Sequence, residues 1–342
     1  MKEIADSSAD LVVTSPPYPM IEMWDGIFSE MNPSIGACLR EEKADRAYDL
    51  MHQELDRVWD ETWRILKNGG IACINIGDAT RTIGEEYRLY PSHSTISMSM
   101  RKLGFHESPS IIWKKQTNSP NKFLGSGTMP PGAYVTLEHE YILIFRKPPR
   151  RQFLSEQEKE SRAASSYFWE ERNAWFTDIW EDIKGTRQSL PEADTRRRSA
   201  AYPFEVPFRL INMFSVKGDT IVDPFAGTGT TTMAAVASGR NSIGYEVDPG
   251  LSSMAMDRLR DSAKFIKSVA ETRLSSHREY VESETARGRN FPHWNSTYGF
   301  RVKTSPEERL KLCTLKEIIP YSDESCLEAH YMDHAMNQQG AS

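Results

Sequence analysis

Long apolar runs, paired cysteines and any general excess of positive charge are all missing from these 342 residues. No stretch approaches the roughly 18 or more apolar residues that a membrane span needs. The opening Met1-Lys2-Glu3-Ile4-Ala5-Asp6 also lacks the apolar core of a signal peptide. The expectation is therefore a cytoplasmic protein with no membrane partner. Cys38, Cys73, Cys313 and Cys326 are scattered without a C-x-x-C pair, which argues against a disulfide framework and a thiolate zinc site. Cys326-x3-His330-x3-His334 would set three ligands on one helical face, but no fourth partner is evident, so no metal is expected. A net charge of −6 excludes a generally basic coat for nucleic acid and leaves room for a local basic patch. The length suits one large α/β domain with an insertion, or two domains.

What is present begins near the N-terminus. Leu11-Val12-Val13 reads as a short buried strand running into Thr14-Ser15-Pro16-Pro17-Tyr18. Two consecutive prolines hold φ near its extended value and remove two backbone donors, leaving the neighbouring carbonyls to accept from another molecule. With the Ser15 hydroxyl before them and the Tyr18 ring after, the loop can accept from an amino group and stack on a flat ring. The plainer alternative is a proline-rich turn after a strand. Pro19 to Asp25, rich in Met and aromatics, reads as packing.

Tyr48, Met51, Leu55, Val58, Trp59, Ile65 and Leu66 recur at three- and four-residue spacing. That predicts an amphipathic helix from about Asp45 to Lys67, with Asn68-Gly69-Gly70 as its C-cap. Ile71 to Ile76 then reads as a buried strand ending at Gly77-Asp78, so strand, loop, helix and strand follow one another as in a parallel sheet. A helix over Pro91 to Leu103 and two strands, Ser110 to Lys114 and Glu140 to Phe145, come next. The connection from Thr117 to Pro131 is either a lid or DNA-facing loop, or irregular surface.

From Arg146 to Arg198 there are twelve Lys/Arg and ten Asp/Glu, a local +2 that leaves −8 for the rest. The basic residues cluster at Arg146, Lys147, Arg150 and Arg151 and again at Arg196-Arg197-Arg198, around Tyr167, Phe168, Trp169, Trp175, Phe176 and Trp180. Arginines among aromatics suit a nucleic-acid surface. The aromatics read better as the segment's own core, and the arginine triplet as phosphate contacts.

The strongest signal is Thr220-Ile221-Val222-Asp223-Pro224-Phe225-Ala226-Gly227-Thr228-Gly229-Thr230-Thr231, a strand entering a Gly-x-Gly turn and then a helix. Glycines allow close backbone approach to a ligand, and the helix N-terminus favours a carboxylate. Glu246, 23 positions after Asp223, stands where a ribose diol is held. With no third fingerprint glycine and no P-loop Lys-Ser/Thr, the turn fits a nucleoside without phosphates.

Asp223 to Thr230 together with Thr14 to Tyr18 resembles the S-adenosylmethionine-binding and catalytic motifs of the amino-DNA methyltransferases. The catalytic motif comes first, which resembles their β class. His139 to Lys147 is similar to the family's late strands, and Tyr202 to Ile211 to the segment packed over the cofactor's methionine end. The resemblance covers roughly residues 1 to 265. It implies an α/β, Rossmann-like, doubly wound and mostly parallel sheet with an inserted target-recognition region. The expected division is 1–147 (catalytic half), 148–200 (target recognition), 201–270 (cofactor half) and 271–342 (extension). In the β class a strand and helix usually precede the catalytic strand, whereas Leu11 follows only ten residues. Tyr298 to Lys303 as a strand and Glu307 to Ile319 as a helix are therefore expected to supply a permuted edge; an unrelated extension is the alternative.

The resemblance implies catalytic roles for Ser15, Pro16, Pro17 and Tyr18. It gives cofactor contacts to Asp223, Pro224, Phe225, Gly227, Gly229, Thr230, Glu246 and Tyr202, with DNA contacts from Arg150, Arg151, Arg196, Arg197 and Arg198. It implies methyl transfer to double-stranded DNA by a monomer or homodimer, with a cognate restriction endonuclease acting independently. Ser15 is similar to the first position of cytosine-N4 enzymes; adenine-N6 methylation and a catalytically inactive DNA-binding subunit are the alternatives. Methylation of a protein amide or RNA would bring Asn at that position and the cofactor motif first.

Overall fold

Strand β1 (Ala9–Thr14) is buried at every residue, its apolar Leu11-Val12-Val13 as expected where both faces of a sheet are covered. In the computed structural model, which describes residues 1–115, 128–184, 202–321 and 323–332, the chain forms two compact units. The first comprises Met1–Ser8, Val12–Arg150 and Asp178–Val206, and the second Ala9–Leu11, Arg151–Thr177 and Pro207–Ser342. Strand β1 is thus divided between them.

The first unit holds β2 (Leu66–Ile76), the ribbon of β3 (Ala79–Ile83) and β4 (Glu86–Tyr90), then β5 (His106–Lys114), β6 (His139–Arg146) and β7 (Ile179–Trp180). Its main row runs β7-β5-β6-β2 and then the second half of β1. Strand β6 is antiparallel to both β2 and β5, while β5 and β7 are parallel. The predicted amphipathic helix spans Ala44–Ile65 and buries Leu50, Met51, Leu55, Trp59 and Ile65. Its end differs from expectation. Gly69 and Gly70 lie within β2, where Gly69 (φ 83°) donates to the Lys147 carbonyl at 2.7 Å. Pairing with Lys147, just after β6, carries the ladder back to Gly69. The helix expected over Pro91 to Leu103 spans Ser92–Leu103 and closes on Gly104 (φ 105°).

In the second unit β8 (Thr220–Asp223) lies between the first half of β1 and the parallel β9 (Asn241–Gly244). The hairpin of β10 (His293–Asn295) and β11 (Phe300–Val302) and that of β12 (Leu315–Tyr321) and β13 (Asp323–Tyr331) complete it. Among the described residues the permuted edge is not formed: β11 pairs with β10 in a two-stranded sheet. Phe300 and Val302 pack instead with Phe168, Ala270, Leu310 and Leu312 in a separate core. The predicted helix over Glu307 to Ile319 is a short 3-10 turn (Ser305–Arg309) followed by β12. Cys326 and His330 accordingly stand on a strand rather than a helical face, and His334 lies outside the described residues.

The described part of 148–200 is divided: residues 151–177 fold with the second unit and 178–184 with the first. Phe168, Trp175 and Trp180 are buried, as core aromatics are. Residues 117–127 of the expected lid lie outside the described residues.

Candidate active site

In the first unit the carboxyl end of β1 delivers Ser15-Pro16-Pro17-Tyr18, with both prolines buried and Ser15 and Tyr18 half-buried. The loop is held by two side chains from neighbouring strands. Asn75, near the end of β2 and 2% exposed, and Glu140, at the start of β6 and 7% exposed, stand on strands paired in antiparallel register. Glu140 Oε2 accepts from the Tyr18 hydroxyl at 2.9 Å and from Asn75 Nδ2 at 2.7 Å. Asn75 Nδ2 also lies 2.8 Å from Tyr18 Oη and 3.4 Å from Ser15 Oγ. Ser15 Oγ and Tyr18 Oη are 3.2 Å apart. Lys115 Nζ donates to Glu140 Oε1 at 2.6 Å.

Burial and then the negative charge of Glu140 push the Tyr18 phenol well above its usual range, with a smaller contribution from Tyr202. Tyr18 therefore stays protonated. Its ring edge lies against Gly77, where an added Cβ would stand 2.9 Å from Cε2. Beside this cluster, buried Asp78 binds His93 Nδ1 at 2.7 Å, and the His93 ring stacks on Tyr141 at 4.1 Å. None of Asn75, Gly77, Glu140 or His93 was singled out by sequence. The available signals were an Asn inside the apolar run Ile71 to Ile76 and a carboxylate opening the apolar strand Tyr141 to Phe145, since polar groups buried in a sheet need partners.

In the second unit β8 ends at Asp223 and the turn at Gly227 (φ 52°) and Gly229 (φ 76°) leads into the helix Thr230–Ala237. These positive φ values explain the two glycines. Asp223, 2% exposed, accepts from Phe225 N at 3.0 Å and from Thr231 Oγ1 at 2.5 Å. Glu246 accepts from Gly227 N at 2.8 Å and from Asp248 N at 2.9 Å. The two carboxylates therefore shape the turn directly. Pro224 and Phe225 are half-buried and Thr230 is buried. A cleft of about 1010 Å³ has Ala226, Gly227, Gly229 and Glu246 on one side and Ile318, Tyr321, Leu327 and Tyr331 of the last hairpin on another. Among the described residues nothing lies within 4 Å of where a Gly227 Cβ would stand, which leaves room for a ligand at the turn. Tyr202, grouped by sequence with this turn, is buried in the first unit near Tyr18.

The expected DNA-binding arginines separate. Arg150 is exposed. Arg151 is a correction: it grips Asp219 through both terminal nitrogens at 2.7 and 3.0 Å and lies 3.5 Å from Asp10, so its charge serves the fold. Arg196, Arg197 and Arg198 lie outside the described residues.

Glu170, His277 and Glu307 bring ligand atoms within 4.8 Å of one another. The imidazole is already held at both nitrogens, by Glu170 at 2.8 Å and the Arg301 carbonyl at 3.1 Å. Glu307 accepts from Trp169 N, Thr304 N and Thr304 Oγ1. The trio therefore ties the helices Trp169–Trp175 and Ala263–Ala286 to the turn that follows β11.

Residues 9–257 match the family described as DNA methylase, of the N6/N4 type. The type II methyltransferase M.MthZI of Methanothermobacter thermautotrophicus is 49% identical over 313 residues, covering 91% of this chain and 87% of that protein. M.MjaI of Methanocaldococcus jannaschii is 52% identical over 270 residues, covering 76% and 88%. Among solved structures, TTHA0409 of Thermus thermophilus, assigned as a DNA modification methylase and crystallised with S-adenosyl-L-methionine, is 33% identical with a TM-score of 0.59, covering 76% of this chain and 88% of that one. By family, by relatives and by fold, this chain belongs to the N6/N4 DNA methylases.

Proposed function

We propose that this DNA methyltransferase moves a methyl group from S-adenosylmethionine to the exocyclic N4 amine of cytosine in double-stranded DNA, as the modification enzyme of a restriction-modification system. The observation that carries the reading is the Ser15-Pro16-Pro17-Tyr18 loop, whose serine and tyrosine hydroxyls are held 3.2 Å apart by buried Asn75 and Glu140. Similarity to type II methyltransferases supports the modification role, and Ser15 at the head of the loop supports cytosine.

An exocyclic amine is a poor nucleophile because its lone pair is delocalised into the ring. Accepting its hydrogens at Ser15 Oγ and the Pro16 carbonyl favours a pyramidal nitrogen and aims the lone pair along the line of transfer, which is catalysis by positioning and electrostatics. The base must leave the duplex first, at a cost of a few kcal/mol. Stacking on Tyr18, about 1–3 kcal/mol by analogy with aromatic platforms, offsets much of that.

Residues of the glycine turn fit the cofactor, since Gly227 faces open space and the helix N-terminus at Thr230 suits a carboxylate. When bound there, S-adenosylmethionine supplies an electrophilic sulfonium methyl. Gly227 allows close approach, Phe225 and Pro224 wall the methionine end, Glu246 accepts from the ribose hydroxyls, and Asp223 fixes the turn. Gly229, where an added Cβ would stand 3.1 Å from Ala255, keeps the turn in shape against the helix Pro249–Asp261. Tyr202, in the first unit, serves the acceptor side. Arg150 contacts phosphate, as do Arg196, Arg197 and Arg198.

The test is incubation with unmethylated genomic DNA and labelled S-adenosylmethionine, digestion to nucleosides and identification by mass. N4-methylcytosine is expected. N6-methyladenine would overturn the base assignment, and no labelled nucleoside would overturn the activity.

A further inference from the structure

Glu140 is a buried carboxylate at the end of an unbroken series of hydroxyls, and the direction of every hydrogen bond in that series is fixed by chemistry. A carboxylate only accepts, so the side of Asn75 facing it at 2.7 Å is the amide NH2. The same Oε2 lies 2.9 Å from Tyr18 Oη, so the phenolic proton is given to Glu140. Tyr18 Oη is then left as an acceptor, toward Asn75 Nδ2 at 2.8 Å and Ser15 Oγ at 3.2 Å. The Ser15 proton therefore points at Tyr18; one serine lone pair faces Asn75 Nδ2 at 3.4 Å, and the other is left to accept an N–H from outside the protein.

We propose that Glu140 is the terminal proton acceptor of the reaction, reached from the target amine through Ser15 and Tyr18; this rests on the amino-methyltransferase reading above. Once the amine nitrogen has formed its bond to the methyl carbon it carries one proton too many and a positive charge. That proton passes to Ser15 Oγ as the serine's own passes to Tyr18 Oη and the tyrosine's own passes to Glu140 Oε2. One N–H bond is broken and one carboxyl O–H bond is formed, with Ser15 and Tyr18 unchanged at the end. Neither hydroxyl has to ionise, which suits a phenol whose burial opposes ionisation. Lys115 holds the other carboxylate oxygen at 2.6 Å, and release of the Oε2 proton to water after turnover restores the carboxylate. The same wiring locks the Tyr18 ring against Gly77.

The test compares single-turnover methyl transfer by the full chain and by Tyr18→Phe, Glu140→Gln and the double variant on unmethylated genomic DNA, with cofactor affinity measured beside each rate. Glutamine still accepts from Tyr18 but takes no proton, and phenylalanine keeps the ring while breaking the series. Each single variant is expected to slow transfer by about 10²-fold, the scale of one proton-transfer contribution. The double variant should be no slower than either, because one series is being broken twice. A solvent deuterium isotope effect in the wild type should vanish in Tyr18→Phe. In the free enzyme, ¹³Cζ-tyrosine spectra should show one signal that Tyr18→Phe deletes and Glu140→Gln moves, a readout that needs no turnover. Glu140→Gln at the wild-type rate, an unmoved Tyr18 signal, or a double variant as slow as the product of the two singles would overturn the proposal. Absence of methyl transfer by the wild type would remove the underlying reading and this inference with it.

Discussion

Glu140 of the first unit and Glu246 of the second both stand at an end of a sheet strand, yet they are used in opposite ways. Glu140 gathers side chains: a tyrosine hydroxyl, an asparagine amide and a lysine ammonium. Glu246 gathers backbone N–H groups, from Gly227 and Asp248, and Asp223 does likewise at Phe225. One region is a wired set of side chains suited to moving protons and aiming an amine. The other is a shaped main-chain cradle suited to close approach by a ligand. Substitutions in the first should change rate, and those in the second should change affinity.

The sharpest way to break this comparison is Ser15→Ala, which removes the proposed acceptor for the amine. Methyl transfer should fall by about 10²–10³-fold, the scale of one lost positioning group, with cofactor affinity intact in calorimetry. A control on the helix Ala44–Ile65 is His52, buried without a hydrogen-bond partner among the described residues and pushed by burial to about 4 from an ordinary 6.5. Its folded value lies below its unfolded one, so the unfolded chain takes up the proton first. The stability it contributes is whole above pH 6.5 and falls away as pH drops toward 4. Denaturant titrations should show a loss of about 3 kcal/mol across that window, absent in His52→Leu, while neither rate nor affinity at neutral pH tracks it.

Glu246→Ala should weaken cofactor binding by about 10- to 100-fold, corresponding to charged hydrogen bonds of about 1.5–3 kcal/mol. Gly77→Ala should slow transfer by about tenfold, since the new methyl displaces the Tyr18 ring at an overpacking cost of about 1–3 kcal/mol, and binding should be spared. The smallest effects separate the two arginines. Arg150→Ala should lower the salt slope of DNA binding by about 1. Arg151→Ala should leave that slope alone and cost about 1 kcal/mol of stability through its half-buried pair with Asp219.

How much of this was legible in the sequence follows from how local each signal is. Strands β1 and β8 and both motifs were readable because a strand, a turn and a helix start lie within about a dozen residues and carry their own punctuation in Pro and Gly. Asn75 and Glu140 were not, because their meaning arises from the register that sets β2 beside β6 across a separation of 65 positions. The C-terminal segment misled for a different reason. Leu310, Leu312 and Leu315 are buried and Ile318 is half-buried, but short apolar spacing fits an extended chain as well as a helix. The strand expected at Phe300 exists, yet its side chains find Phe168 and Ala270 rather than the edge of β9. Composition also could not tell a phosphate-binding arginine from Arg151, whose partners Asp10 and Asp219 are 141 and 68 positions away.

The most direct measurement sets Tyr18→Phe and Glu246→Ala side by side, determining cofactor affinity by calorimetry and methyl transfer in a single turnover for each. Tyr18→Phe is predicted to bind like the wild type and transfer about 10²-fold more slowly. Glu246→Ala is predicted to bind weakly and to recover near wild-type transfer at saturating cofactor. If Tyr18→Phe instead loses affinity, or Glu246→Ala stays slow when saturated, the division of labour between the two regions is wrong.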